Sequence, residues 1–276
     1  TSYSNYLTVE KEGYMHCSRR FYTEANTTRF LTIIMPSDKK DAFFTSSKAT
    51  EYTFDDNVTI HFPADAYALE NGDNYDGVVV VSTFSIAGDD PQLSDKMPGN
   101  LEGITKDNQT NVLGSYGMIN VELKSSAGDK LKIKDGYEVR LDFKVPDAML
   151  NNAPATIPVW YFNEDEGIWR EEGSAVLNGN LYVTQVKHFS YWNCDASFPI
   201  CPWKGTFTYD DGSPAANLIV CITIDGLNTT QCSTTGYDGS VVGSVAANEP
   251  MSLKVLGYCQ DYLLESPLGP FSESGD

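Results

Sequence analysis

Basic residues are scarce in this 276-residue chain: 19 Lys and Arg stand against 38 Asp and Glu, for a formal net charge of -19 and a pI near 4.4. A nucleic-acid backbone has to be met by Lys and Arg, so that class of partner is excluded. Long apolar runs are missing too. Stretches such as Val78 to Val81 fall far short of the roughly 20 residues that a membrane-spanning helix needs. The opening T-S-Y-S-N-Y-L has neither the basic region nor the apolar core of a secretory signal, which places any such segment outside these residues. Histidine occurs three times, and His16 and His61 have no metal-ligand spacing to each other or to the cysteines. Both read as strand-surface residues. Helical periodicity is confined to a short candidate around Pro146 to Leu150, and no conventional nucleophile stands at a telling distance from a matching base.

What the chain has in quantity is the pattern of short antiparallel strands. Ile157 to Asp195 reads I-P-V-W-Y-F-N-E-D-E-G-I-W-R-E-E-G-S-A, then an Asn178-Gly179-Asn180 turn, then L-Y-V-T-Q-V-K-H-F-S-Y-W-N-C-D. Successive side chains of a strand point to opposite faces, so this alternation of apolar and polar residues predicts a three-stranded meander around an aromatic core. Met118 to Leu123 against Leu131 to Ile133, across Ser126-Ala127-Gly128-Asp129, predicts a hairpin. Val139, Leu141, Phe143 and Val145 alternate with Arg140, Asp142 and Lys144, which predicts a strand with one wet side. Gly88 to Gly103 holds G-D-D-P and M-P-G-N and reads as a loop. From Pro199 onward, strands recur about every ten residues with turn chemistry between them, the signal for an all-β sandwich. The fold class is therefore all-β, in tandem antiparallel β-sandwich domains that meet near Ala196 to Pro202.

Six cysteines permit three bridges and suit an oxidising compartment. The Asp225-Gly226-Leu227-Asn228 turn lies midway between Cys221 and Cys232, so a symmetric hairpin sets those two opposite each other, within disulfide range. The connectivity of Cys17, Cys194, Cys201 and Cys259 is open. Joining the first strand of the final unit to its last would pair Cys201 with Cys259 and leave Cys17 with Cys194.

Two resemblances follow from these residues. K-G-T-F-T-Y-D-D-G-S-P-A-A-N, T-T-G-Y-D-G-S and A-A-N-E-P-M-S-L-K-V make residues 197–276 resemble a carboxypeptidase regulatory-like, or transthyretin-like, domain. V-E-K-E-G-Y-M-H-C-S-R-R-F and the run after it make residues 1–36 resemble the closing strands of another such domain, without its opening strands. M-P-G-N-L, Y-G-M-I-N-V-E-L, A-P-A-T-I-P-V-W-Y-F, W-R-E-E-G-S-A and H-F-S-Y-W-N make residues 37–196 similar to modules of cartilage intermediate layer proteins and of bacterial secreted surface proteins. More distantly, this part resembles the ZU-type domain of zonula occludens, ankyrin and netrin-receptor proteins. The resemblances imply an extracellular, multidomain structural or adhesive protein of the cell surface.

In some ZU-type domains an H-F-S triplet cleaves itself. Carried over, His188 would activate Ser190 to attack the Phe189 carbonyl and break the Phe189-Ser190 peptide. The plain alternative is a strand with its aromatic in the core. Asn26, Asn57, Asn108 and Asn228 each open an N-x-S/T triplet and are candidate glycosylation points. Asp89-Asp90, Asp210-Asp211 and Asn163 to Glu166 could hold calcium loosely, though as turns they need no ion, and no cofactor is otherwise implied. Residues 1–36 read as strands in want of a partner, with Leu7, Val9, Phe30 and Ile33 as candidate intermolecular strand residues and Asp261 to Phe271 as the stretch they would meet. Partners would then be copies of the chain itself or other surface proteins. The competing expectation is a carbohydrate-binding module stacking Trp160, Trp169 or Trp203 on glycans.

Overall fold

The computed structural model describes residues 3–23, 31–227, 229–257 and 261–273. The fold is all-β as expected, with antiparallel pairing apart from the parallel pair β8 and β13, and two helices of one turn each among the described residues. β1 (Tyr3–Val9) and β2 (Cys17–Thr23) form an amino-terminal hairpin. The central part runs β3 (Ala42–Thr45), β4 (Thr50–Phe54), β5 (Val58–Phe62), β6 (Tyr67–Leu69), β7 (Val78–Ala87), α1 (Leu93–Lys96), β8 (Glu102–Ile104), β9 (Thr110–Ser125), β10 (Lys130–Ile133), β11 (Val139–Lys144), α2 (Asp147–Leu150), β12 (Thr156–Asn163), β13 (Ile168–Asn178) and β14 (Leu181–Val186). β15 (Tyr191–Thr206) leads into β16 (Ile219–Ile224), β17 (Thr230–Thr234), β18 (Ser240–Ala246), β19 (Met251–Leu256) and β20 (Tyr262–Leu268).

Neighbouring strands of the central sheet follow the path β3-β7-β9-β15-β12-β13-β14-β11-β5-β4. The path folds back on itself, so Val81, Ile119, Trp192 and Val159 share one core with Tyr182, Leu141 and Ile60 from its far half. Two irregularities make the bends. Cys194 alone on β15 stands against Tyr116 and Gly117 of β9, and Val159 alone on β12 against Glu172 and Gly173 of β13. Gly117 and Gly173 take φ of 139° and 100°, the left-handed backbone that such bulges place on glycine. The meander predicted over Ile157 to Asp195 is present as β12-β13-β14.

Strands β12 and β15 bury both faces. Val159 and Trp192 enter the first core; Trp160 and Tyr191, their sequence neighbours, enter a second on the opposite side of the sheet, with Phe162, Trp169, Met118 and Ile86. The near-continuous apolar run I-P-V-W-Y-F is the sequence mark of such a two-sided strand. Gly88 to Gly103, expected to be loop throughout, contains α1 and β8, because Leu93, Met97 and Leu101 roof this second core.

The amino-terminal hairpin closes the roof. Tyr6 packs on Phe162 and covers Gly167, Arg20 Nε donates to the Gly167 carbonyl at 2.9 Å, and Gly99 exchanges backbone hydrogen bonds with Ser18 and Arg20. Residues 31–36 are not a strand. Their backbone instead ties Ile34 to Asp95 and Pro36 to Met15.

β15 runs unbroken through the expected meeting point of the domains. It pairs with β9 as far as Pro199 and with β18 from Ile200 to Thr206. Beyond it, β15 and β18 face the layer β17-β16-β19-β20 across a small core of Leu218, Val220, Val241, Leu253 and Val255. Cys221 faces Cys232 and is bonded to it. The pairing of Cys17 with Cys194 is not made: both are buried free thiols, Cys17 under the hairpin and Cys194 at the β15 bulge in the first core. Cys201 is a buried free thiol as well, and Cys259 lies outside the described residues. Asp142, expected on the wet side of β11, is buried, because Arg140 and His61 from β5 close over its carboxylate at 2.7 and 2.9 Å.

Gly167 has φ of 64°, and a Cβ there would stand 2.4 Å from the Tyr6 ring. Gly167→Ala is therefore expected to cost about 1–3 kcal/mol of stability and to speed amide exchange in β1 and β2 while β9 and β15 stay protected. Unchanged exchange in the hairpin would show that this contact does not hold it.

Candidate functional site

His188, Phe189 and Ser190 lie in the connection between β14 and β15. Phe189 packs against the first core beside Phe62. The His188 ring sits between Tyr161 and Trp192, with Nε2 3.5 Å from Glu172. Its carbonyl accepts the Trp192 indole N–H at 3.0 Å, and the Ser190 hydroxyl donates forward to the Tyr191 carbonyl at 3.1 Å. Self-cleavage needs the hydroxyl turned back on the Phe189 carbonyl with a base at hand. Here His188 is engaged by Glu172 and two rings, and Ser190 points the other way.

Sequence reasoning missed a polar cluster at the β15 bulge. Asn193 and Asp195 are both fully buried. The Asn193 amide donates to one Asp195 oxygen, the Ser115 hydroxyl donates to Asn193 at 2.8 Å, and the Trp160 indole donates to the Asp195 carbonyl at 3.3 Å. The Ser115 N–H donates to Thr229, from the loop between β16 and β17, at 3.1 Å. Beside it Leu227 presses on Gly114, where a Cβ would stand 2.4 Å from its methyl. This cluster locks the carboxy-terminal part onto β9. Burial pushes the Asp195 carboxyl well above the ordinary carboxylate range, against a smaller opposing pull from Ser115. The one signal in sequence was an aspartate at a position of β15 whose neighbours are all core residues.

The other expected sites fall into three groups. Asn57 is corrected as a glycosylation point: it is 8% exposed and its amide nitrogen is sealed inside without a partner, so no sugar can reach it. Asn108 stands exposed in a turn, and Asn26 and Asn228 lie outside the described residues. Asp90 is bridged to Lys96 at 2.6 Å, Asp211 accepts from Ser213, and Asn163 accepts from the Glu166 N–H. No cluster of metal-ligating side chains occurs among the described residues.

Of the strand-addition candidates, Leu7 is 43% exposed, Val9 and Ile33 are half-buried, and Phe30 lies outside the described residues. Asp261 to Phe271 is not a free strand awaiting the hairpin. Its β20 is already paired with β19 along one side, no strand flanks its other side among the described residues, and Tyr262, Leu263 and Leu264 are all exposed. No protein family, curated protein or solved structure matches the chain.

Two measurements bear on these groups. The chain should keep its full mass through prolonged incubation, and fragments meeting at Phe189-Ser190 would overturn the geometry given for the triplet. An unfolded aspartate ionises near 3.9, so between about pH 4 and the raised value in the folded state the native protein holds one proton more, and stability falls as pH rises. Asp195→Asn keeps the shape without the ionisation, and its melting temperature should fall less from about pH 4 to about pH 7 than that of the parent. Equal slopes would clear Asp195 of the effect.

Proposed function

We propose that the chain is a secreted structural or adhesive subunit of a cell surface, built into an extracellular fibre by β-strand addition between copies. The observation that carries this reading is the exposure of apolar side chains on open strand edges. β20 shows Tyr262, Leu263 and Leu264 to solvent on both of its faces, and β1 shows Leu7. An unpaired edge presents a row of backbone donors and acceptors, which proteins that stay monomeric blunt with charge or cover. On β20 the apolar exposure is confined to Tyr262 to Leu264, ahead of Glu265 and Pro267, in a chain that carries 38 acidic residues. A second strand would satisfy the backbone groups and bury the side chains together.

Other features agree with this reading. The Cys221–Cys232 bridge suits an oxidising compartment, the strong acidity favours solubility before assembly, and the resemblance to surface-protein modules points the same way. Glycan stacking has less support. Trp160, Trp169 and Trp192 are fully buried and Trp203 is half-buried against the small carboxy-terminal core, so none lays a flat ring open to a sugar. Electron microscopy of the protein as isolated, without refolding, should show regular fibres. Dispersed monomers at high concentration would overturn strand addition.

A further inference from the structure

The carboxy-terminal sandwich is lopsided. Its layer β17-β16-β19-β20 has four strands, and the layer facing it has two, β18 and β15. Residues opposite each other in an antiparallel pair share a face. Met251, Leu253 and Val255 of β19 point into the sandwich and are buried; their partners on β20 are Leu268, Ser266 and Leu264. Val255 is 1% exposed, yet Leu264 beside it is 47% exposed. The inward face therefore continues onto β20, where Leu268 still packs against the cores and the described residues leave Leu264 uncovered. At the other margin β17 sets Gln231 and Ser233 opposite Ile222 and Val220, so there the inward face turns polar and needs no cover.

The covering layer stops at β15. Between Ile200 and Thr206 that strand has β18 on one side and no strand on the other among the described residues. The Phe207 N–H donates to Gly239 and the Pro199 carbonyl accepts from Ala247, so the odd-numbered residues aim their backbone groups at β18. Alternation aims the N–H and carbonyl of Lys204 and Thr206 at the open side. Ile200 and Pro202, the latter with no N–H to leave unpaired, occupy the other outward positions.

A matching piece stands at the amino terminus. β1 pairs with β2 on one side and has no strand on the other among the described residues, whereas the far side of β2 is held by Gly99. β1 is seven residues long, and so is the stretch of β15 paired with β18 alone. Leu7 and Val9 share one face of the hairpin with Phe21, the cross-strand partner of Asn5, and with their own partners Arg19 and Cys17, which are already buried, so the free part of that face is Leu7, Val9 and the exposed side of Phe21. Charge is complementary: residues 1–36 hold four basic and three acidic residues, and residues 197–276 hold two basic and nine acidic.

We propose that β1 of one copy adds along the open edge of β15, residues 200–206, in a second copy. The covering layer becomes β18-β15-β1-β2, and Leu7, Val9 and Phe21 come to lie over Leu264. The proposal rests on the strand-addition reading and goes beyond it by choosing β15 over the more exposed edge of β20. A strand added to β20 would widen the layer that is already too wide and leave Leu264 bare. The hairpin stays docked on its own central part meanwhile, because its held edge and its open edge are opposite edges. The two surfaces differ, so the contact repeats head to tail from copy to copy and gives an open fibre unless its rotation closes a ring.

The experiment has two arms. Thr8 and Lys204 are both exposed, Thr8 on the hairpin face away from Leu7 and Lys204 on the outer face of its layer. Thr8→Cys and Lys204→Cys chains, purified separately and mixed under mild oxidation, should give a cross-linked species of twice the mass that neither gives alone. In the second arm, Lys204→Pro removes an outward N–H and spares the bonds to β18, and should weaken assembly about tenfold or more while thermal unfolding stays cooperative. Leu263→Lys on β20 is the comparison and should leave assembly in place. If fibres survive Lys204→Pro, or fail with Leu263→Lys alone, the choice of β15 is overturned and strand addition stands. A parent chain that sediments only as monomer overturns both.

Discussion

The rest of the structure depends on the burial of both faces of β12 and β15. A strand covered on one side could end a small sandwich; these two carry Val159 and Trp192 on one face and Trp160 and Tyr191 on the other, so two layers of protein have to be built around them. The first is the folded-back half of the central sheet. The second is the roof made by α1, β8 and the amino-terminal hairpin. Removing fully buried aromatics of this size from water is worth about 1.5–3 kcal/mol each, enough to hold a two-stranded hairpin that would be marginal alone.

β15 also transmits this rigidity. Its first half lies in the central sheet and its second half is half of a layer in the carboxy-terminal sandwich, with no flexible stretch between them. The polar cluster of Ser115, Asn193 and Asp195 sits at its bulge and reaches Thr229 across the seam. Such a group costs desolvation wherever it is buried, and its hydrogen bonds fix geometry more than they add stability. In a subunit that bears load between neighbours, a fixed angle between its two parts would carry direction along a fibre.

The edges tell the complementary story. Where the interior is over-supplied with cover, the two ends of the chain are under-supplied: a hairpin with one bare edge, and a sandwich whose layers differ by two strands. Each deficit alone is an aggregation liability. The two edges have the same length and lie in parts of the chain with complementary charge.

The alternation of apolar and polar residues was enough to determine the all-β class, the β12-β13-β14 meander, the β9-β10 hairpin and the Cys221–Cys232 bridge, because each depends on contacts between residues near in sequence. Tertiary structure alone decided what depends on distant partners. Asp142 and Asn57 have polar side chains in surface-like contexts, yet neighbouring strands close over them. Cys194 lies in the first core and Cys17 on β2 outside it, so their count among six cysteines said nothing of their pairing. Tryptophans that read equally well as sugar platforms are sealed on the second face of a strand. Leu264 looks like any strand leucine in sequence; that it is bare follows from the number of strands in the layer opposite, which local pattern does not encode.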